Sequence, residues 1–133
     1  MSEKIILDLV TPKELVSSKE VVQAVIPGAE GDFGVLVDHA PLISTIRPGV
    51  IDIYENNNSI SDRIFVTGGF AEVNGKKCTV LAKQAFDLKG INKTQAQEML
   101  RQAKEDLALA KDEKSKEKAA KNIETANLLI EVL

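Results

Sequence analysis

The chain has no tryptophan and only one tyrosine, one cysteine and one histidine in 133 residues. A single cysteine, Cys78, excludes an intramolecular disulfide and suits a reducing compartment. A lone histidine, His39, cannot build a Cys/His zinc site. Nucleophilic catalysis finds no support either, since no Gly-x-Ser-x-Gly is present and His39 is the one imidazole base available. Apolar runs extend over only a few residues, too short to span a bilayer. Positive charge is in deficit, with 17 Lys and Arg against 20 Asp and Glu, and no basic block stands alone. That balance argues against a nucleic-acid partner. Met1-Ser2-Glu3-Lys4 leads directly into an apolar alternation and carries no signal- or transit-peptide pattern.

What is present is unevenly distributed. All four prolines lie in the first half, and Phe33, Tyr54, Phe65, Phe70 and Phe86 are the only aromatics. After Gly90 there is no glycine, proline or aromatic residue. The last third is built mostly from the strong helix formers Ala, Leu, Lys, Glu and Gln. The composition therefore changes near Asp87 to Gly90. The reading is a β-sandwich domain over 1–87 and an α-helical hairpin domain over 88–133.

The first part reads as short strands punctuated by turns. Ile5, Leu7 and Leu9 alternate with Ile6, Asp8 and Val10 before Thr11-Pro12. Further β-rich runs are 21–26, 33–37, 42–46 and 50–54, the last ended by Glu55-Asn56-Asn57-Asn58. Then come 59–67, 70–73 and 77–82, the last two joined by Asn74-Gly75, a strong hairpin signal. At least eight short strands at this spacing predict an antiparallel sandwich or barrel.

The second part reads as two helices. Asn92 and Gln95 form a capping-box pair. Ala96, Met99, Leu100, Ala103, Leu107 and Ala110 then recur at helical spacing. A charged run, 111–118, interrupts them, and a second stripe of Ala119, Ile123, Ala126, Ile130 and Leu133 follows out of phase with the first. One straight helix cannot bury both stripes on one face, so a turn is expected near Lys111 to Glu113. A face zipped largely by alanine buries little, at about 0.8 kcal/mol per methyl group. The hairpin is therefore expected to be marginal on its own and suited to switching between packings. Met99, Ala103, Leu107, Ile123, Ala126 and Ile130 are the residues expected to carry such regulation.

Pro27 to Leu42 holds the candidate site residues. Gly28, Gly31 and Gly34 resemble a phosphate cradle in spacing only. No Lys-Ser or Lys-Thr follows and no helix begins there, so a tight turn into a strand is the reading. Glu30 and Asp32 are either a solvated loop pair or the edge of a docking surface. His39, in His-Ala-Pro-Leu, suits a loop corner with its ring bonded to a nearby carbonyl. Cys78 shares a strand face with Val80 and Ala82 and reads as a buried thiol.

Two stretches resemble one family. Pro27-Gly-Ala-Glu-Gly-Asp-Phe-Gly-Val-Leu, followed by His39-Ala-Pro-Leu and Arg47-Pro-Gly-Val, is similar to the signature of the ATP synthase epsilon subunit, the delta subunit of the mitochondrial enzyme. Phe65-Val-Thr-Gly-Gly-Phe-Ala-Glu-Val73 is similar to a second motif of that family. The resemblance implies a sandwich of about ten strands followed by a helical hairpin. It implies a non-catalytic subunit of the proton-translocating complex that binds gamma and sits on the polar loops of the c-ring. It places Gly28, Glu30, Gly31, Asp32 and His39 at the sandwich end that meets those loops, where arginines of the ring would suit a carboxylate. It also implies a hairpin that can extend along gamma to the alpha and beta catalytic subunits and block ATP hydrolysis. The location implied is the cytoplasmic face of a bacterial inner membrane, peripheral and without insertion into the bilayer.

The chain departs from the family pattern at two places. Val37-Asp38 stands where Pro followed by Gly or Asn is common. Some bacterial members bind ATP through Ile/Leu-Asp-x-x-Arg-Ala at the junction, which corresponds here to Phe86, Asp87, Leu88, Lys89, Gly90 and Ile91. Only Asp87 matches, and Gly90 replaces the arginine that would meet phosphate. No cofactor is therefore expected, and ATP binding is expected to be weak or absent. Two competing readings are an ATP-sensing module whose hairpin closes on nucleotide and an unrelated sandwich enzyme or carbohydrate binder. The second needs a concave aromatic face, which five scattered aromatics do not supply.

Overall fold

In the computed structural model, which describes residues 3–56 and 59–133, the alternation of the first part becomes ten strands. They are β1 (Ile5–Val10), β2 (Leu15–Val21), β3 (Gln23–Gly28), β4 (Gly31–Val35), β5 (Leu42–Ile46), β6 (Gly49–Tyr54), β7 (Asp62–Val66), β8 (Gly69–Val73), β9 (Lys77–Ala82) and β10 (Ala85–Asp87). The turn expected at 55–58 falls partly on Asn57 and Asn58, and the N-terminal reading partly on Met1 and Ser2; these four lie outside the described residues. The chain divides into two compact units, Met1–Lys89 and Gly90–Leu133.

The strands form two five-stranded layers, β10-β7-β6-β3-β4 and β5-β8-β9-β1-β2. A single residue pair, Gly28 with Ile46, links them in hydrogen-bond order. The chain passes from layer to layer through Arg47-Pro48, Thr67-Gly68 and Lys83-Gln84, so three strand pairs turn one common corner. Inward residues of both layers fill the space between. Ile5, Leu7 and Leu9 are buried, as are Cys78, Val80 and Ala82. Burial pushes the Cys78 thiol up to about 12, which leaves it protonated and inert at neutral pH.

Two strands escape a reading by periodicity. β2, Leu-Val-Ser-Ser-Lys-Glu-Val, is an edge strand whose first two residues, Leu15 and Val16, are exposed and whose last, Val21, is its one buried residue. Its ladder to β1 is reinforced by polar links, with Ser18 Oγ donating to Asp8, so it carries no alternating apolar signal. β10 is only three residues long. β4 starts at Gly31 and stops at Val35, earlier than the expected run of 33–37, because the chain turns at Val37-Asp38.

The second unit is a helix pair, α1 (Lys93–Leu109) and α2 (Glu113–Val132), packed on each other. Asn92 caps α1 in a full capping box with Gln95. The turn lies where the phase break of the stripes puts it. Its stop comes from Asp112, whose backbone is extended and whose carboxylate accepts the Ser115 N–H at 2.7 Å. Ala96, Ala103, Ala119 and Ala126 are buried, at seven-residue spacing within each helix. Met99, Ile123 and Ile130 are half-buried, whereas Leu107 is exposed at 37%. Leu129 and Thr125, outside the expected stripe, are buried. Four of the five buried apolar residues of the pair are therefore alanines, and Leu129 is the one large side chain fully buried in it.

The corner constrains the backbone most severely at Gly69. It has φ of 147°, and a Cβ there would lie 1.9 Å from the Leu81 carbonyl oxygen. Gly69→Ala is expected to destabilise the sandwich by about 3 kcal/mol. Gly75→Ala, whose Cβ would meet nothing nearer than 3.8 Å, should stay within about 0.5 kcal/mol of the parent. Urea unfolding of the two variants measures both, and equal midpoints would refute the corner constraint.

Candidate docking sites

Residues 28 to 32 form the tip of the β3–β4 hairpin. Gly28 pairs with Gly31 across a two-residue turn of Ala29 and Glu30. Neither turn residue takes a positive φ; Gly31 does, at 133°. Gly28 is buried, and a Cβ on it would lie 2.7 Å from the Gly31 carbonyl oxygen and 2.9 Å from the Phe33 ring. Glycine at both positions therefore lets the hairpin close tightly, which is the tight-turn reading rather than a phosphate cradle. Ala29, Glu30, Gly31 and Asp32 are exposed. Glu30 has no hydrogen bond or ion pair among the described residues, whereas the Asp32 carboxylate accepts from Arg47 of its own chain.

His39 lies at the other end of the strands. β4 runs from Gly31, opposite Gly28, to Val35, opposite Ala24. Four residue steps along it span about 13 Å. The chain then turns over Leu36 to His39, closed by the His39 N–H donating to the Leu36 carbonyl at 3.2 Å. Asp38 donates its N–H to Gly75 at 2.6 Å, which anchors this turn beside the β8–β9 connection. The expected grouping of His39 with Glu30 and Asp32 at one end is therefore corrected: strand direction separates them. His39 does serve a loop corner, with Nδ1 2.6 Å from the Ala40 carbonyl oxygen. Asp38 takes φ of 63°, the left-handed conformation that Asn and Gly also favour. That conformation accounts for Asp at the position where the resemblance expects Gly or Asn.

A second surface was not legible in the motifs. On the outer side of the β5-β8-β9-β1-β2 layer, Phe70 pairs with Leu81, Leu81 with Val10, and Val10 with Leu15. Phe70, Leu81 and Leu15 are each at least half exposed (55%, 50% and 58%), and Ile43 on β5 is 75% exposed. An apolar row across four adjacent strands differs from apolar residues scattered singly over a surface. The available signal was Phe70 and Leu81, each out of step with the inward set of its strand.

The junction residues are occupied within the chain. Asp87 Oδ1 accepts the Lys89 N–H at 2.9 Å, closing a local turn. Lys89 Nζ donates to the Ser61 carbonyl at 2.8 Å and lies 3.4 Å from Asp62 Oδ1. Asp62 also pairs with Lys19 of β2 at 2.9 Å, and Lys19 with Glu55 at 3.1 Å. Ile60, Ser61, Asp62, Arg63, Leu88 and Lys89 line a shallow groove of about 230 Å³. The Lys19 hydrogen bond holds the Asp62 carboxyl below the usual carboxylate range, and Asp62 in turn raises Lys19. No group of three or more His, Cys, Asp or Glu capable of holding a metal occurs among the described residues. No helix among them is long and apolar enough to cross a membrane.

Residues 4–87 match the family model described as "ATP synthase, Delta/Epsilon chain, beta-sandwich domain". An ATP synthase epsilon chain of Rhodospirillum rubrum is 44% identical over 130 residues, covering 98% of this chain and 96% of that one. The corresponding chain of Rhodospirillum centenum is 52% identical over 95 residues, or 71% of this chain and 65% of the relative. Among solved structures, the fold is shared with a chain of the Euglena gracilis mitochondrial ATP synthase OSCP/F1/c-ring structure. The TM-score is 0.76 at 24% identity, covering 97% of this chain and 81% of that one. A chain of the Tetrahymena thermophila mitochondrial ATP synthase central stalk/c-ring structure gives 0.66 at 16% identity, covering 98% and 97%.

The ion pairs fix the pH response. Asp62 and Asp8 both have lowered pKa values, the first through Lys19 and the second chiefly through the Ser18 hydroxyl and then Lys77. A carboxyl whose folded pKa is depressed stabilises the fold above its unfolded value, near 3.9, and loses that contribution as pH falls through the folded value. Stability is expected to be level near neutrality and to fall below about pH 4. Asp62→Asn should reduce the acid slope, read from urea midpoints between about pH 2 and 7. An acid slope identical to the parent would refute the assignment. Raised Lys19 works at the other limit, with stability lost only above its ordinary value near 10.4.

Proposed function

The chain belongs to the ATP synthase delta/epsilon chain family, and from that we propose that it is a non-catalytic central-stalk subunit of a proton-translocating F-type ATP synthase. The observation that carries this reading is similarity to an epsilon chain along 98% of this chain, through the sandwich and the helix pair alike. Central-stalk and c-ring structures containing the same fold support it. In this reading the Gly28–Asp32 tip meets the polar loops of the c-ring, with Glu30 as the exposed charge. The apolar row of Phe70, Leu81, Val10 and Leu15 is the face that gamma covers, since covering it takes the exposed Phe70, Leu81 and Leu15 side chains out of water. The subunit works at the cytoplasmic face of a bacterial inner membrane, peripherally.

The helix pair adds control of hydrolysis. Four of its five buried apolar residues are alanines and the fifth is Leu129, so modest apolar burial opposes its rearrangement. An extended pair would reach the alpha and beta subunits and restrain ATP hydrolysis. A nucleotide-sensing role has weaker physical support. Asp87 is committed to the Lys89 N–H, Lys89 to Ser61 and Asp62, and Gly90 brings no cation.

Reconstitution of a complex depleted of this subunit tests the reading. Adding the chain should restore ATP-driven proton pumping, and Phe70→Glu should fail to do so through weakened gamma binding. Deleting residues 88–133 should leave assembly intact and raise ATP hydrolysis. Unchanged pumping without the chain would remove the stalk role, and unchanged hydrolysis after deletion would remove inhibition. Calorimetry is expected to detect no micromolar binding of MgATP; such binding would reinstate the sensor.

A further inference from the structure

The Asp32 carboxylate faces a cation of its own chain. Arg47 follows β5 and makes three bonds to the β3–β4 hairpin. Its N–H donates to the Pro27 carbonyl at 2.9 Å, its Nη1 donates to the Gly28 carbonyl at 2.6 Å, and its Nη2 pairs with Asp32. Asp32 is the cross-strand partner of Pro27, so one guanidinium grips both strands just below the turn. Ala29 adds a fourth tie, its N–H donating to the Thr45 carbonyl at 2.9 Å. The planar fork of arginine suits this geometry, because two N–H groups reach a carbonyl and a carboxylate together.

Glu30, two residues away, is exposed and makes no side-chain hydrogen bond or ion pair among the described residues. A side chain at the apex of a two-residue turn is aimed by the strands beneath it. We propose that Arg47 and Asp32 form an internal clamp that positions Glu30, so that Glu30 alone presents the docking charge and Asp32 acts within the chain. Arg47 is thus a positioning residue. The inference rests on the c-ring reading only for what Glu30 meets; the clamp itself is a property of the free chain.

The test uses the full chain, with amide exchange in the free protein and binding to purified c-ring in detergent. Arg47→Gln and Asp32→Asn should each speed exchange at Ala29, Glu30 and Gly31 about tenfold, while the global urea midpoint moves little, since an exposed pair contributes little to global stability. Each should weaken c-ring binding, and the double variant should be no weaker than the worse single one, because the two residues act as a unit. Arg47→Lys, which keeps the charge but not the fork, should fall between parent and Arg47→Gln. Glu30→Gln should weaken binding and leave tip exchange unchanged. Unchanged tip exchange in Arg47→Gln would overturn the clamp. So would multiplicative losses of c-ring binding in Asp32→Asn and Arg47→Gln, the result expected of a carboxylate that meets the ring directly. Faster tip exchange with unaltered c-ring binding in every variant, Glu30→Gln included, would uphold the clamp and overturn the docking reading instead.

Discussion

Gly69, at the start of β8, lies so close to the Leu81 carbonyl of the neighbouring strand β9 that no side chain fits between them, and this strand pair enters the corner at that point. Strands that would otherwise continue as one sheet bend at Arg47-Pro48, Thr67-Gly68 and Lys83-Gln84 and fold back over themselves. Backbone bonds continue across the bend, with Thr67 donating to Gln84 and Lys83 to Gly68. The inward residues of β6 and β7 thereby face those of β8 and β9, and a core forms without a long connecting segment. The hairpin tip at Gly28 to Asp32 sits at this same corner, tied to it by Arg47 and by Ala29. The candidate docking residues are thus mounted beside a corner whose backbone is tied by Arg47 and Ala29.

The helix pair is built on the opposite principle. Four of its five buried apolar residues carry only a methyl group, each contributing about 0.8 kcal/mol, and the fifth is Leu129. Exposed ion pairs such as Arg101 with Glu98 and Glu105 support α1 as a helix without tying it to α2. Local signals specify the helices well, through the Asn92–Gln95 box and the Asp112 cap, while Leu129 is the one large apolar side chain fully buried in the pair. A segment that is helical by local preference but lightly zipped suits a change of packing that preserves secondary structure.

Inward alternation was legible wherever a strand had one covered face, as in Ile5-Leu7-Leu9 and Cys78-Val80-Ala82. β2 was not, because an edge strand stabilised by Ser18 and Lys19 carries no apolar period. The helix stripes were legible in phase but not in depth. Leu107 fits the stripe and yet is exposed, while Leu129 lies outside it and is buried. At the candidate site, the tight glycine turn and the corner role of His39 could be read locally. The partner of Asp32 could not, because Arg47 is fifteen residues away and meets it only through strand pairing.

Sequence alone determined the class of fold, the two kinds of segment, the Asn92 cap and the family, all of which depend on local composition and motif spacing. Tertiary structure decided which charges meet: Asp32 with Arg47, and Lys19 with Asp62 across 43 residues. It also set His39 apart from Glu30 and aligned Phe70, Leu81, Val10 and Leu15 into one row. The physical reason is that a period of two tells which residues share a face of their own strand. It does not tell which strands become neighbours, in what register, or at which end of the layers a loop emerges.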